Sequence, residues 1–157
     1  MERLHRKDIR LSGYDYSTPN GYFITICTRD KKHLFWEVGA SCARPVLSHY
    51  GEIVSEELLH LSTAYPSVEL NKAVIMPNHV HMIIVIKSGE SGRAQLAPTV
   101  SRIIQQFKGA ITKRIGIPIW QKGFYDHIIR NEPYYLRIWQ YIDTNPAKWE
   151  EDRYYIP

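Results

Sequence analysis

The chain has 157 residues and a formal net charge of +4, with 44% hydrophobic and 23% charged residues, so we expect one globular domain spanning residues 1–157. Two cysteines, Cys27 and Cys42, are too few for a disulfide framework, and no apolar run approaches the roughly 18 residues of a membrane span. The charged N-terminus also lacks a secretory signal, so we expect a cytoplasmic protein whose mild basicity favours a polyanionic partner.

The N-terminal part of the chain predicts a basic arm, a strand and a helix. Residues 1–20 form the arm, which carries Tyr14 and Tyr16 among its arginines and lysines and ends in a Thr-Pro-Asn-Gly turn. The β-branched and aromatic run 22–28 predicts a strand. After a mixed stretch, Ser48 can cap a helix with apolar residues at helical spacing.

The middle of the chain predicts a hairpin followed by a long helix. Residues 68–75 and 79–86 are strand-like and are joined by a short Met-Pro-Asn connection. The second of these runs is almost continuously apolar, which favours a central strand. Thr99 can cap a helix with one apolar face and one polar face. The polar face includes three cationic residues, Arg102, Lys108 and Lys113.

The C-terminal part predicts one more strand and a last helix. Residues 117–129 look extended, and Asn131 can cap the helix that follows. Its apolar spacing predicts four inward-facing residues, namely Tyr135, Leu136, Trp139 and Ile142. The order of elements is that of the split βαβ, ferredoxin-like fold. We therefore expect an α+β protein with an antiparallel sheet, two helices on one face and an extra C-terminal helix that could cover the other.

Two histidines stand out in the third strand. His79 and His81 are two residues apart, so they point to one face of the strand, with Cα atoms about 6.6 Å apart. Imidazole pairs bind divalent cations, but two ligands are too few for a closed structural zinc site. An open site for Mg²⁺ or Mn²⁺ fits better. The alternative is two polar side chains, each with a local hydrogen bond.

A tyrosine and an asparagine in the last helix could complete such a site. Tyr141 and Asn145 are four residues apart and share a helix face. If that helix crossed the strand, a phenol nucleophile and a third ligand would meet the cation, a set able to cut a phosphodiester. Taken alone, however, Tyr141 is more often a core aromatic residue and Asn145 a helix cap.

Four segments carry a resemblance to a known family. They are residues 13–16 (Gly-Tyr-Asp-Tyr), 76–81 (Met-Pro-Asn-His-Val-His), 120–130 and 141–146 (Tyr-Ile-Asp-Thr-Asn-Pro). The chain resembles the REP-associated tyrosine transposases, which belong to the single-tyrosine HUH (His-hydrophobic-His) transposases. The similarity runs from about residue 12 to residue 149, nearly the whole chain.

The resemblance implies a metal-dependent endonuclease that cleaves and rejoins single-stranded DNA, in hairpin or REP-like form, through a 5′-phosphotyrosine. It implies that Tyr141 is the nucleophile, that His79 and His81 bind Mg²⁺ or Mn²⁺, and that Asn145 supplies a third ligand. Many HUH nucleases carry a lysine three residues after the tyrosine, where this chain has Thr144. The family contains monomers and homodimers, and either state is expected here.

Further residues are predicted to contact DNA through their charge or their aromatic rings. They are Arg102, Lys108, Lys113, Arg130, Tyr14 and Tyr16. Two other functions remain open. One is a non-catalytic RRM-like module that binds single-stranded nucleic acid with aromatic residues on its sheet. The other is a small metal-dependent hydrolase that releases its product without a covalent link.

Overall fold

The fold is described from a computed structural model, which covers residues 21–41, 43–87 and 99–157. The predicted arm at 1–20, with Tyr14 and Tyr16, lies outside these residues, as does Cys42. The main elements are β1 (Gly21–Cys27), α1 (His49–Ala64), β2 (Val68–Ile75), β3 (His79–Ile86), α2 (Val100–Ile115), β4 (Tyr125–Ile129) and α3 (Glu132–Thr144). Two 3₁₀ helices, Arg29–Lys31 and Pro146–Glu151, accompany them.

The four strands form one antiparallel sheet in the order β2-β3-β1-β4. This is the sheet predicted from the order of elements, and the apolar strand β3 is central, as its sequence indicates. β1 pairs with β3 so that Thr25 lies opposite His81 and Cys27 lies opposite His79. β4 then pairs with β1, with Tyr125 opposite Thr25.

Helices α1 and α2 pack on one face of the sheet, as predicted. Ser48 caps α1 by accepting a hydrogen bond from the Gly51 amide, and Thr99 caps α2 in the same way from Arg102. The main core lies between these helices and the strands. It includes Ile24, Ile26, Val80, Met82 and Ile84 from the sheet, with Val54, Leu58, Ile104, Phe107 and Ile111 from the helices.

Helix α3 covers part of the opposite face. A smaller core there contains Phe23, Ile83, Ile129, Ile138 and Ile142. The predicted inward face of α3 was wrong in part, because Leu136 is 56% and Trp139 36% exposed. The apolar area of the sheet under α3 is small, so only a narrow stripe of the helix is buried. Among the described helices, none combines the length and apolarity needed to cross a membrane.

Candidate metal and tyrosine site

The two histidines of β3 converge on the face of the sheet that α3 covers. His79 and His81 are 0% and 1% exposed, and their Nε2 atoms lie 3.1 Å apart. Val80, between them, points into the opposite core, as the alternation along a strand requires. The structure therefore confirms the predicted placement of both imidazoles on one face.

Hydrogen bonds at the other ring nitrogens orient both imidazoles. His79 Nδ1 lies 2.7 Å from Asn78 Oδ1, and His81 Nδ1 lies 2.8 Å from Thr25 Oγ1. The Asn78 amide nitrogen donates to the carbonyls of Lys31 and Tyr154, which leaves Oδ1 as the acceptor. His79 therefore carries its proton on Nδ1 and presents a lone pair at Nε2. The Thr25 hydroxyl can donate or accept, so it suits either tautomer of His81.

Burial keeps both imidazoles neutral. Removal from water lowers the pKa of His79 to about 3, an effect that the side chain of Asn145 partly offsets. Burial also lowers the pKa of His81 well below its ordinary value, and the neighbouring His79 acts in the same direction. Two neutral imidazoles at this distance either share one N–H in a hydrogen bond or direct both Nε2 lone pairs at a cation. The pair can therefore bind a cation without first losing a proton to solvent.

Tyr141 extends from α3 to the edge of the histidine pair. Its hydroxyl lies 3.4 Å from His81 Nε2, and its ring meets the Phe23 ring edge-on at 6.1 Å. The side chain is 37% exposed, so the phenol is accessible from solvent. Burial and the Asp152 carboxylate raise the pKa of the phenol above its usual value. Tyr141 therefore needs a proton acceptor before it can act as a nucleophile at neutral pH.

Asn145 ends α3 and is buried beside the same histidines. It is 2% exposed, and its amide nitrogen donates to Asp152 Oδ2 at 2.7 Å. Its Oδ1 is buried without a hydrogen-bond partner among the described residues. An unsatisfied amide oxygen in the interior is uncommon and is a suitable ligand for a hard cation.

Asp152 is a site residue that the sequence prediction missed. Its Oδ2 lies 3.9 Å from His79 Nε2, and ligand atoms of His79, His81 and Asp152 all lie within 4.8 Å of one another. The same oxygen accepts a hydrogen bond from the Tyr141 hydroxyl at 3.4 Å. Asp152 lies beyond the last segment that carries the family resemblance. The only sequence signal was Pro146, which ends the helix and lets the chain turn back.

These donors fit a divalent cation. Two imidazole nitrogens, one carboxylate and one amide oxygen make a mixed set, in which the nitrogens suit transition metals and the oxygens suit Mg²⁺ and Mn²⁺. The ring of Tyr154 packs against His79 at a tilt of 40°, with centroids 4.6 Å apart, and shields the imidazole from water. His79, His81, Asp152 and Asn145 are therefore the residues that could hold a metal.

The predicted DNA contacts on α2 are not near this site. Arg102 and Lys113 are exposed on α2, which packs on the opposite face of the sheet from the histidines. Lys108 is held in place because it donates to the carbonyls of Gln121 and Gly123. Arg130 follows β4 near Gly21, at the far end of β1 from the residues that pair with the histidines. Their contact with DNA stays a prediction.

Comparison with known proteins identifies one relative that matches nearly the whole chain and another that matches about half of it. An uncharacterized protein of Haemophilus influenzae is 34% identical over 97% of this chain and 94% of its own length. The REP-associated tyrosine transposase of Escherichia coli K12 is 32% identical over a shorter region, 51% of this chain and 45% of that protein. A scan against models of protein families finds no match.

A solved structure has the same fold. It is a REP-associated tyrosine transposase bound to a REP hairpin, and it superposes with a TM-score of 0.64 at 23% identity. The superposition covers 88% of this chain and 74% of that chain, including an α+β arrangement with a four-stranded antiparallel sheet. Sequence and fold thus agree with the resemblance that the motifs carry: the chain has the fold of a REP-associated tyrosine transposase, and about half of it is 32% identical to another protein of that name.

Proposed function

We propose that the chain is a metal-dependent HUH transposase that cleaves and rejoins single-stranded DNA through a 5′-phosphotyrosine at Tyr141. The observation that carries the proposal is the 3.4 Å separation of the Tyr141 hydroxyl from Nε2 of His81, at the edge of a buried pair of neutral imidazoles. The solved relative is bound to a REP hairpin, which supports a DNA hairpin as the substrate of this chain.

The proposed metal ligands are His79, His81 and Asn145 Oδ1, with Asp152 as a fourth group within reach. A divalent cation held there, Mg²⁺ or Mn²⁺, would neutralise charge on the scissile phosphate and help to orient it. The hydrogen bonds from Asn78 and Thr25 fix the directions of the two imidazoles before any cation binds. Such preorganisation is typical of the groups around a metal site.

Tyr141 performs the bond exchange. Its oxygen forms a bond to the phosphorus, the bond from phosphorus to the 3′ oxygen of the preceding nucleotide breaks, and a free 3′-hydroxyl leaves. The phenolic proton passes to Asp152 Oδ2, which already accepts its hydrogen bond, and a proton returned from Asp152 through water to the departing 3′ oxygen completes the 3′-hydroxyl. In the reverse direction, a 3′-hydroxyl attacks the phosphotyrosine and restores a phosphodiester. The linkage conserves the energy of the broken bond, so no nucleotide cofactor is needed.

The covalent adduct is the test of this proposal. Wild-type protein is incubated with a hairpin-bearing single-stranded oligonucleotide and Mn²⁺ or Mg²⁺, and the products are separated on a denaturing gel. We expect a protein–DNA band with wild type and none with Tyr141→Phe. His79→Ala should bind DNA but form no adduct. Equal adduct yields from wild type and Tyr141→Phe would refute Tyr141 as the nucleophile.

The RRM-like alternative is less well supported. Such modules bind bases with aromatic rings on an open sheet face. Here Phe23, the aromatic residue of β1 on the face of the histidines, is packed against Ile138 and Ile142 of α3 and is 9% exposed.

The hydrolase alternative is distinguished by the fate of the 5′-phosphate, which would be released free instead of bound to the protein. Whether the protein acts as a monomer or as a homodimer stays a prediction.

A further inference from the structure

A basic cleft lies at the edge of the sheet near the histidines. We use this name for the open cavity of about 750 Å³ lined by Arg29, Lys31, Trp120, Lys122 and Tyr125, together with Asp30 and Gln121. Arg29, Lys31 and Lys122 are exposed, whereas Tyr125 is half-buried. The mechanism proposed above uses none of these residues.

The cleft adjoins the metal and tyrosine site through the register of the sheet. Tyr125 of β4 pairs with Thr25 of β1, and Thr25 pairs with His81 of β3. Directly paired residues point to the same face, so Tyr125 and His81 are two strand spacings apart, about 10 Å. A strand of DNA whose phosphate lies at Tyr141 and His81 can therefore reach the cleft within a few nucleotides.

The backbone of the cleft is held in an unusual conformation. Asp30 and Lys31 have φ of 56° and 54°, a left-handed conformation that residues with a Cβ adopt at a cost in free energy. The Asn78 amide nitrogen lies 3.4 Å from the Lys31 carbonyl, and the same side chain orients His79. The loop that presents Arg29 and Lys31 is thus attached to the residue that orients His79.

The charges of the cleft fit a polyanion. Arg29, Lys31 and Lys122 outnumber the single acidic residue of the lining, Asp30. In the described part of the chain, none of these three cations is paired with a carboxylate, whereas Lys72, Lys87 and Arg114 are. Exposed cations next to a half-buried aromatic ring are a combination that can bind single strands, with cations on phosphates and the ring against a base.

We propose that the basic cleft binds the single-stranded DNA next to the scissile phosphate. Arg29, Lys31 and Lys122 contact consecutive phosphates, and the ring of Tyr125 stacks on a base. This inference rests on the function proposed above, because it assumes that the strand cut by Tyr141 continues across the sheet. It identifies a strand-binding surface different from the predicted one on α2.

Two matched double variants test the proposal. Arg29→Gln/Lys122→Gln removes two charges from the cleft, and Arg102→Gln/Lys113→Gln removes the same two residue types from α2. All four side chains are exposed, so both variants should fold like wild type, which circular dichroism checks. Affinity is measured by fluorescence anisotropy at 50 and 200 mM salt. One probe is a hairpin with single-stranded extensions at both ends, and the other is the same hairpin without them.

The salt dependence gives the expected size of the effect. Each phosphate contact on a single strand contributes about 0.7 to the magnitude of the slope of log K against log salt. The cleft variant loses two contacts, so the magnitude of its slope should be smaller than that of wild type by about 1.4. The ratio of wild-type to variant affinity should then shrink about sevenfold between the two salt concentrations. We expect this only with the extended hairpin. The α2 variant should keep the wild-type ratio of affinities for the extended and blunt hairpins.

Two outcomes would overturn the proposal. One is a cleft variant that binds the extended hairpin with wild-type affinity and salt slope. The other is a cleft variant that loses affinity equally for both hairpins, since the cations would then act on the stem or through net charge. The rate of adduct formation at saturating DNA separates a failure of the cleft proposal from a failure of the proposed chemistry. At saturation the cleft variant should form the adduct at the wild-type rate, because its defect is in DNA binding. A wild-type protein that binds DNA but forms no adduct would refute the chemistry and leave the cleft proposal standing.

A fluorescent base tests the stacking separately. With 2-aminopurine in the extension, binding to wild type should quench its fluorescence, because the base stacks on the ring of Tyr125. Tyr125→Phe should quench to the same extent, and Tyr125→Leu should not quench. The affinity of Tyr125→Leu should fall on the order of tenfold. Equal quenching by Tyr125→Leu at saturation would overturn the role of this ring.

Discussion

Thr25 Oγ1 lies 2.8 Å from Nδ1 of His81, across the pairing of β1 with β3. This bond connects the imidazole nearest to Tyr141 with the strand that borders the basic cleft. A hydroxyl can rotate to donate or accept, so Thr25 can support His81 with the proton on either nitrogen. The hydroxyl therefore lets His81 direct a lone pair at a cation without leaving Nδ1 unsatisfied.

Replacing this hydroxyl should weaken metal binding. In Thr25→Val the shape is nearly kept, but the buried Nδ1 of His81 loses its partner. Removing a residue that hydrogen-bonds a metal ligand typically lowers metal affinity by about 10- to 100-fold. Titration with Mn²⁺ followed by calorimetry measures the effect, and Thr25→Ser, which keeps the hydroxyl, is the control. If Thr25→Val binds Mn²⁺ as tightly as wild type, the hydroxyl does not orient the ligand.

Asp152 should contribute to both metal affinity and reaction rate. Asp152→Asn keeps the size of the side chain but removes its charge and its ability to accept the phenolic proton. We expect weaker Mn²⁺ binding by calorimetry and slower adduct formation even at saturating Mn²⁺. Glu151→Gln, at the exposed neighbouring residue, removes the same charge and should leave both quantities unchanged. A variant at Asp152 that matches wild type in both measurements would remove this residue from the site.

The metal-free protein should lose stability as the pH falls below 6.5. The pKa of His79 is lowered to about 3 in the folded protein, and that of His81 is also lowered, but in the unfolded chain both return to about 6.5. Between these values the unfolded chain binds protons that the folded protein does not, so the free energy of unfolding falls with pH.

Urea unfolding with a chelator at pH 7.5, 6 and 5 measures this dependence. His81→Gln removes one of the two groups and should show a shallower decline than wild type. Because other groups titrate in the same range, the comparison between the two proteins is the decisive quantity. Identical pH profiles would contradict the burial of a neutral His81.

Two helical glycines should respond in opposite ways to alanine. A Cβ at Gly51, in α1, would overlap the carbonyl oxygen of Phe35, so Gly51→Ala should lower the free energy of unfolding by about 1–3 kcal/mol. Gly109, in α2, has nothing within 4 Å of such a Cβ, so Gly109→Ala should raise it by up to about 1 kcal/mol. Denaturant titration of both variants distinguishes these changes. Equal effects would contradict the close packing of α1 against Phe35.

The prediction of the fold depended on signals that are local in the sequence. Ser48, Thr99 and Asn131 each cap the helix predicted to follow them. The rotation of α3 was harder to predict, because several stripes of the helix are apolar enough to be buried. Only the shape of the sheet beneath it selects Ile138 and Ile142 and leaves Leu136 and Trp139 exposed.

The candidate site could also be predicted only in part, because local periodicity places some of its residues and not others. His79 and His81 share a strand face, and Tyr141 and Asn145 share a helix face, because the backbone periodicity of each element requires it. Asp152 lies on neither element. It reaches the site because the chain folds back after α3. Pro146 predicts the end of the helix, but no local pattern encodes where the returning segment packs.

Local sequence patterns specified the order of strands and helices, the placement of both imidazoles on one strand face and the shared helix face of Tyr141 and Asn145. Tertiary packing places α3 over the histidines, brings Asp152 beside them, and puts Arg102 and Lys113 on the other face of the sheet. The two kinds of information differ in the range over which their interactions act. Backbone periodicity acts over a few residues, whereas the face on which a helix packs depends on apolar surfaces contributed by distant parts of the chain.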